Sequence, residues 1–280
     1  MRRTLMFAAI ALLALPAVAQ QQLNLPRPSQ KASVSQTIGL TNMAITYSRP
    51  GVKGRPIWGA LVPYDKVWRT GANEATTIVF SNDVNINGQK LQAGTYSLHT
   101  IPSQNGDWTL IFNSVANQWG SYSYEQAKDT LRVKATPAKA GFAEWMTFEV
   151  PEVSTDSAKV VLRWENLTVP FTVTTDTTKN ALDSIRSAIT AAKADDWQTA
   201  YRGAQFAYNN NVALDEGAKW LDQSIKTNET ISNLWLKAQW QAKSGDKAGA
   251  MKTAQAAIAK GTPKDAEQVQ EIQKQIAGWK

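Results

Sequence analysis

From Lys31 to Thr175 the apolar residues recur with a period of two. Val160, Leu162 and Trp164 alternate with Val161, Arg163 and Glu165, and Val169, Phe171 and Val173 alternate with Pro170 and Thr172. Similar runs stand at Met43 to Tyr47, Trp108 to Phe112 and Met146 to Val150. This period sends successive side chains to opposite faces, so the runs read as half-buried antiparallel strands. Turn chemistry separates them at Asn87-Gly88, Ala93-Gly94 and Asn105-Gly106. Roughly nine or ten short strands without intervening helices predict an antiparallel β-sandwich, jelly-roll-like in type.

After a polar linker at 176–180 the composition turns to alanine, glutamine and lysine, and the period moves to about 3.6. Six helices are expected near 180–193, 196–210, 213–227, 230–243, 246–260 and 264–278. Alternate helices start about every 33 residues, the repeat length of tetratricopeptide arrays. Tyr201, Ala204, Tyr208, Gly217, Leu221 and Ser224 stand where Leu234, Lys237, Gln241, Ala250, Ala254 and Ala257 fall one repeat later. Small residues at Gly217/Ala250 and Ser224/Ala257 would let paired helices approach closely. Lys237 and Gln241 depart from the pattern, so the array reads as degenerate. At helical spacing Trp197, Trp220, Trp235, Trp240 and Trp279 read as core. The fold class is therefore α+β in two domains. A sandwich over 31–175 is followed, past the linker, by a tetratricopeptide-like helical domain over 181–280.

The leader changes the picture of where such a protein works. Arg2 and Arg3 precede an apolar run from Leu5 to Leu15, then Pro16 and Ala17-Val18-Ala19. Residues 1–19 read as a cleavable signal peptide followed by an N-terminal extension over 20–30, which implies a periplasmic or secreted protein. The apolar run is short of the roughly 20 residues a spanning helix needs, so no transmembrane segment is expected. There is no cysteine among the 280 residues, which removes both disulfides and a lipid-anchored thiol. The net charge of +7 is spread along the chain and falls by two when Arg2 and Arg3 are removed. No basic run of the kind that grips phosphate backbones is present, so nucleic acid is not an expected partner.

The stretch from Arg49 to Thr77 has neither period. It holds three arginines, two tryptophans, three prolines and four glycines, so side chains must order it in place of a backbone ladder. Within it stand Arg49-Pro50, Gly54-Arg55-Pro56-Ile57-Trp58-Gly59-Ala60-Leu61-Val62-Pro63-Tyr64 and Val67-Trp68-Arg69-Thr70-Gly71-Ala72-Asn73-Glu74-Ala75-Thr76. Further along come Ala93-Gly94-Thr95-Tyr96-Ser97-Leu98, Ile101-Pro102 and Trp108 to Asn113. Gln118-Trp119-Gly120 follows with Tyr122, Tyr124 and, later, Trp164-Glu165. Together these resemble the signature of a family of secreted bacterial proteins known only as a domain of unknown function, numbered two nine one one. The resemblance covers residues 31–175 and implies a fold unit and an exported compartment. The family is uncharacterised and supplies no catalytic residue. In similar proteins position 99 often carries another aromatic residue, which counts against catalysis by His99.

His99 is the one histidine in the chain. With a single imidazole and no thiol, zinc, copper and haem sites are not expected, and no Asp-x-Asp-x-Asp-Gly loop offers a calcium site. No Gly-x-Ser-x-Gly elbow or Walker or dinucleotide fingerprint appears, so no cofactor is expected. Strand alternation puts His99 opposite Tyr96 and Leu98, on the sheet surface or partly packed. Arginine offers a planar fork suited to carboxylate, phosphate or sulfate and stacks on indole faces. Arg49, Arg55, Trp58, Trp68, Arg69, Asn73 and Glu74 are therefore the candidate ligand residues, and Arg55, Trp58, Trp68, Arg69 and Asn73 are expected to pack as one cluster. The expected role is a non-catalytic binding or scaffolding protein of the cell envelope. The sandwich would hold a glycan or small anionic ligand and the helices a protein or peptide. The alternative is a glycan-directed hydrolase with Glu74 or Glu165 as acid or base, among the carboxylates that also include Asp65 and Glu144, and the arginines as clamps.

Overall fold

A computed structural model describes residues 25–279. The expected signal peptide lies outside the described residues. Ten strands come first: β1 (Gln30–Ile38), β2 (Thr41–Arg49), β3 (Thr76–Phe80), β4 (Val84–Ile86), β5 (Gln89–Leu91), β6 (Gly94–Ile101), β7 (Trp108–Asn113), β8 (Asp129–Ala135), β9 (Ala138–Val153) and β10 (Ser157–Thr174). Every pairing between these strands is antiparallel. One sheet has the order β1-β2-β3-β6-β7-β8 and the other β5-β4-β10-β9.

The alternation read from the sequence sets the layers. Met43, Ile45 and Tyr47 from β2, Leu98 from β6 and Leu110 and Phe112 from β7 meet Val160, Leu162, Trp164 and Phe171 from β10 in one buried core. The two sheets are thus the faces of a sandwich. The Asn87-Gly88 turn between β4 and β5 takes φ of 47° and 82°, the left-handed pair that a two-residue hairpin requires. The runs 160–164 and 169–173, separate in the sequence pattern, lie on one 18-residue strand. Register shifts along its pairing with β9 mark bulges, and Glu165 sits in one with φ of 52°.

Six helices follow: α1 (Thr177–Ala191), α2 (Trp197–Asn210), α3 (Leu214–Thr227), α4 (Ile231–Lys243), α5 (Lys247–Ala259) and α6 (Ala266–Ala277). Asp176, Asp196, Thr230 and Asp246 cap α1, α2, α4 and α5 through their side chains. Small residues allow close helix approach. A Cβ on Gly217 would stand 2.6 Å from Ala207 Cβ and 2.8 Å from the Trp240 ring. Residues 176–180, expected as a linker, instead hold the cap and first turn of α1. The start of α1 is tied to the sandwich. Thr41 and Thr175 hydroxyls lie 2.7 Å apart, Asn180 Nδ2 donates to both, and Thr177 Oγ1 donates to Thr155 O. Among the described residues no helix is long and apolar enough to cross a membrane.

Candidate functional site

The Arg49–Thr77 stretch lies between β2 and β3 and gains its order from side chains. Arg49 Nε donates to Met146 O, while Arg55 Nε and Nη2 donate to Val52 O and Gly51 O. These two guanidiniums are staples for the loop's own carbonyls. Trp58 and Trp68 belong to a four-tryptophan group. The Trp58 ring centroid is 4.8 Å from Trp108, 5.6 Å from Trp164 and 5.8 Å from Trp68, and Trp68 stacks on Trp164 at 5.9 Å. Edge-to-face and offset contacts of this kind are the favoured aromatic geometries, and they put Trp68 in the sandwich core with the half-buried Trp58 packed against it. Asn73 Nδ2 donates to Ser29 O. Of the five side chains expected as one cluster, Trp58 touches Trp68 and Trp68 lines the same cleft as Arg69, while Arg55 staples the loop's carbonyls and Asn73 ties down the N-terminal arm. The sequence could not show this because Trp108, Trp164 and Ser29 lie far from the loop in the chain.

Arg69 is the exception among the arginines. It is half-buried and lines a cleft of about 310 Å³ with Lys66, Trp68, Ser121 and Tyr122. Its Nε is closed to solvent without an acceptor, and no carboxylate pairs with it among the described residues. Burial holds its guanidinium below the ordinary value, with the Tyr122 phenol acting the other way. Next to it Thr70 is wholly buried at φ of 55°, a region a β-branched residue occupies only under constraint. The Thr70 carbonyl accepts from Thr76 Oγ1 at 2.6 Å and its hydroxyl donates to Trp68 O and Thr100 Oγ1.

The second wall of the cleft comes from the segment between β7 and β8, which folds back over the outer face of the larger sheet. Ala75 N donates to Gln118 O and Gly120 N to Asn73 O. Gln118 Nε2 donates to Ser97 Oγ, and Ser121 Oγ lies 3.3 Å from His99 Nδ1. The segment is anchored where Tyr124 Oη donates to Asp129 Oδ2 and Arg132 Nε to the same oxygen. It leaves Trp119 56% and Tyr122 85% exposed. Gln118, Trp119, Ser121 and Tyr122 stand outside the candidate residues that the sequence offers. Their signal was present as two aromatics around a glycine in a stretch without period.

That segment also corrects the reading of His99 as a surface or partly packed residue, since it is 0% exposed. Burial lowers its pKa to about 4, against the opposing charge of Asp129. Its Nε2 is buried without a partner. A neutral ring that donates from Nδ1 to Ser121 leaves only an unfilled acceptor at Nε2, a smaller cost than an orphaned N–H. In that tautomer His99 is no base toward Ser121.

The carboxylates of the hydrolase alternative are not brought together. Glu74 pairs with Arg27 at 2.6 Å, which holds its carboxyl below the usual range, aided by a hydrogen bond to its own backbone. Glu165 accepts from Asn166 at a bulge in the other sheet. Glu144 Oε1 accepts from Lys53 N, and Asp65 is exposed in a left-handed turn. Among the described residues no group of three or more His, Cys, Asp or Glu side chains could hold a metal ion.

Fold and site define a two-sheet antiparallel sandwich with a cleft built where two irregular segments meet, followed by six helices. Residues 29–173 match a family described as protein of unknown function (DUF2911), and the chain belongs to it. No curated protein and no solved structure matches the chain.

Proposed function

We propose that the protein is a non-catalytic binding protein of the cell envelope, whose sandwich takes a small anionic ligand in the cleft at Arg69. The observation that carries this reading is a half-buried guanidinium without a carboxylate partner. Desolvating a charge is costly unless an opposite charge or full hydrogen bonding compensates. A carboxylate, sulfate or phosphate group would supply both, and the guanidinium fork fits any of them. Lys66 adds a second positive charge at the rim, and the Ser121 hydroxyl adds a donor. The leader supports export, and the helical hairpins, which we read as a degenerate tetratricopeptide-type array, offer a surface for a protein or peptide partner.

Titration calorimetry at low ionic strength with sulfate, phosphate and glucuronate tests the reading, because salt screens half-exposed charges. One of these anions should bind saturably, and Arg69→Met should weaken it by about tenfold or more, the loss expected for one charge-assisted contact. Unchanged affinity in Arg69→Met, or no binding of any of the three, would overturn it.

A further inference from the structure

Beside the Arg69 cleft, and sharing no lining residue with it, a groove of about 350 Å³ runs between the outer face of the larger sheet and residues 116–119. Its size is at the lower end of the range for small-molecule sites. We propose that this groove is a second ligand site, for a neutral polyhydroxyl ring of the hexopyranose type, and that Arg27 of the N-terminal arm is a displaceable latch across it.

The hydrogen-bond inventory selects the chemistry. Glu74 gives Oε1 to Arg27 and keeps Oε2 buried with no donor. Gln118 uses its amide nitrogen on Ser97 and Val115 and keeps Oε1 buried with no donor. Both unfilled atoms are acceptors, closed to solvent with Arg27 in place, and displacement of Arg27 frees the Glu74 carboxylate to accept, so a fitting ligand brings donors. A cation would bring them too, but Lys31 lines the same groove and would repel it. Hydroxyl groups donate without charge, and the Thr46 and Thr77 hydroxyls on the groove floor can exchange further hydrogen bonds with them. Trp119 provides the apolar element, an exposed indole on which the C–H face of a sugar ring can lie.

The two main elements are held in place before any ligand arrives. Glu74 and Trp119 face each other across an antiparallel bridge, with Ala75 N to Gln118 O on one side and Gly120 N to Asn73 O on the other. A preformed site avoids the entropy of ordering its own loops.

Arg27 marks the groove as closed in part. Its guanidinium carbon stands 5.7 Å from the Trp119 ring centroid, its Nη1 reaches Glu74, and Asn73 holds the arm at Ser29. Both partners of the Arg27–Glu74 pair are well exposed, at 52% and 37%. Pairs of this kind contribute about 0–1 kcal/mol, so a ligand can displace the latch at little cost.

The test uses the full mature chain with cellobiose and N-acetylglucosamine as neutral probes, read by titration calorimetry and saturation-transfer NMR. At least one should bind saturably. Arg27→Ala should tighten binding about two- to fivefold, the value of one exposed ion pair. Trp119→Ala should weaken it about tenfold in either background, the value of a stacked ring. The melting temperature should fall by no more than about 4 °C in either variant, since both side chains are about half exposed and the ion pair contributes at most about 1 kcal/mol. Arg69→Met should bind the neutral probes as the parent does, which keeps this site separate from the anionic one. Failure of both probes to bind parent and Arg27→Ala would overturn the proposal. So would unchanged affinity in Trp119→Ala, or weaker binding in Arg27→Ala.

Discussion

Arg69 carries a charge that no carboxylate neutralises among the described residues, and its removal should show this in stability as well as in binding. Arg69→Met keeps the aliphatic stem and deletes the desolvated charge. Chemical denaturation should therefore give equal stability or a gain of up to about 1 kcal/mol, where loss of a structural ion pair would give a clear decrease. His99 makes the opposite kind of statement, through pH. Its folded pKa of about 4 lies below the unfolded value of about 6.5. Between these values the unfolded chain binds the proton and the folded chain does not. Stability should therefore rise with pH across that window and lose up to about 3 kcal/mol on acidification from pH 7 to pH 4. His99→Phe, followed by urea denaturation at both pH values, should flatten that slope. Neither residue's setting was legible beforehand. Arg69 looked like Arg49 and Arg55 in the sequence, and only the tertiary contacts show that those two are satisfied by nearby carbonyls while it is not.

At the scale of elements, period was the legible signal. The helices start and stop within three residues of the expected positions, because the period is a local property of the sequence and four of the six N-caps are side chains adjacent to their helices. Gly217 is a close-approach position, where an added Cβ would stand 2.6 Å from Ala207 Cβ. Gly217→Ala improves intrinsic helix propensity by about 1 kcal/mol, yet overpacking costs about 1–3 kcal/mol. The net expectation is a lower melting temperature, checked by thermal denaturation followed at the helical signal. Segments without period were the illegible part. The 114–128 segment forms the cleft wall, the groove edge and the cover over His99, yet each of these roles depends on a partner from another strand. The Arg27–Glu74 pair is 47 residues apart in the chain, a separation that no local pattern encodes.

In the molecule as a whole, the junction between sandwich and helices is continuous structure. The expected linker is absorbed into α1, and the Thr41, Thr175 and Asn180 side chains bond across it. Limited proteolysis of the native protein should spare 174–180, since cleavage favours exposed, unbonded backbone. Early release of a β-rich and an α-rich fragment would contradict this. The four-tryptophan group has a consequence of another kind. Trp58, Trp68, Trp108 and Trp164 lie close enough for their excited states to couple, and Trp235 and Trp279, stacked at 5.4 Å, form a second coupled pair in the helical half. Each half of the molecule therefore carries its own optical reporter. Replacing Trp279 with phenylalanine would silence the helical pair and leave the sandwich visible by its circular dichroism alone.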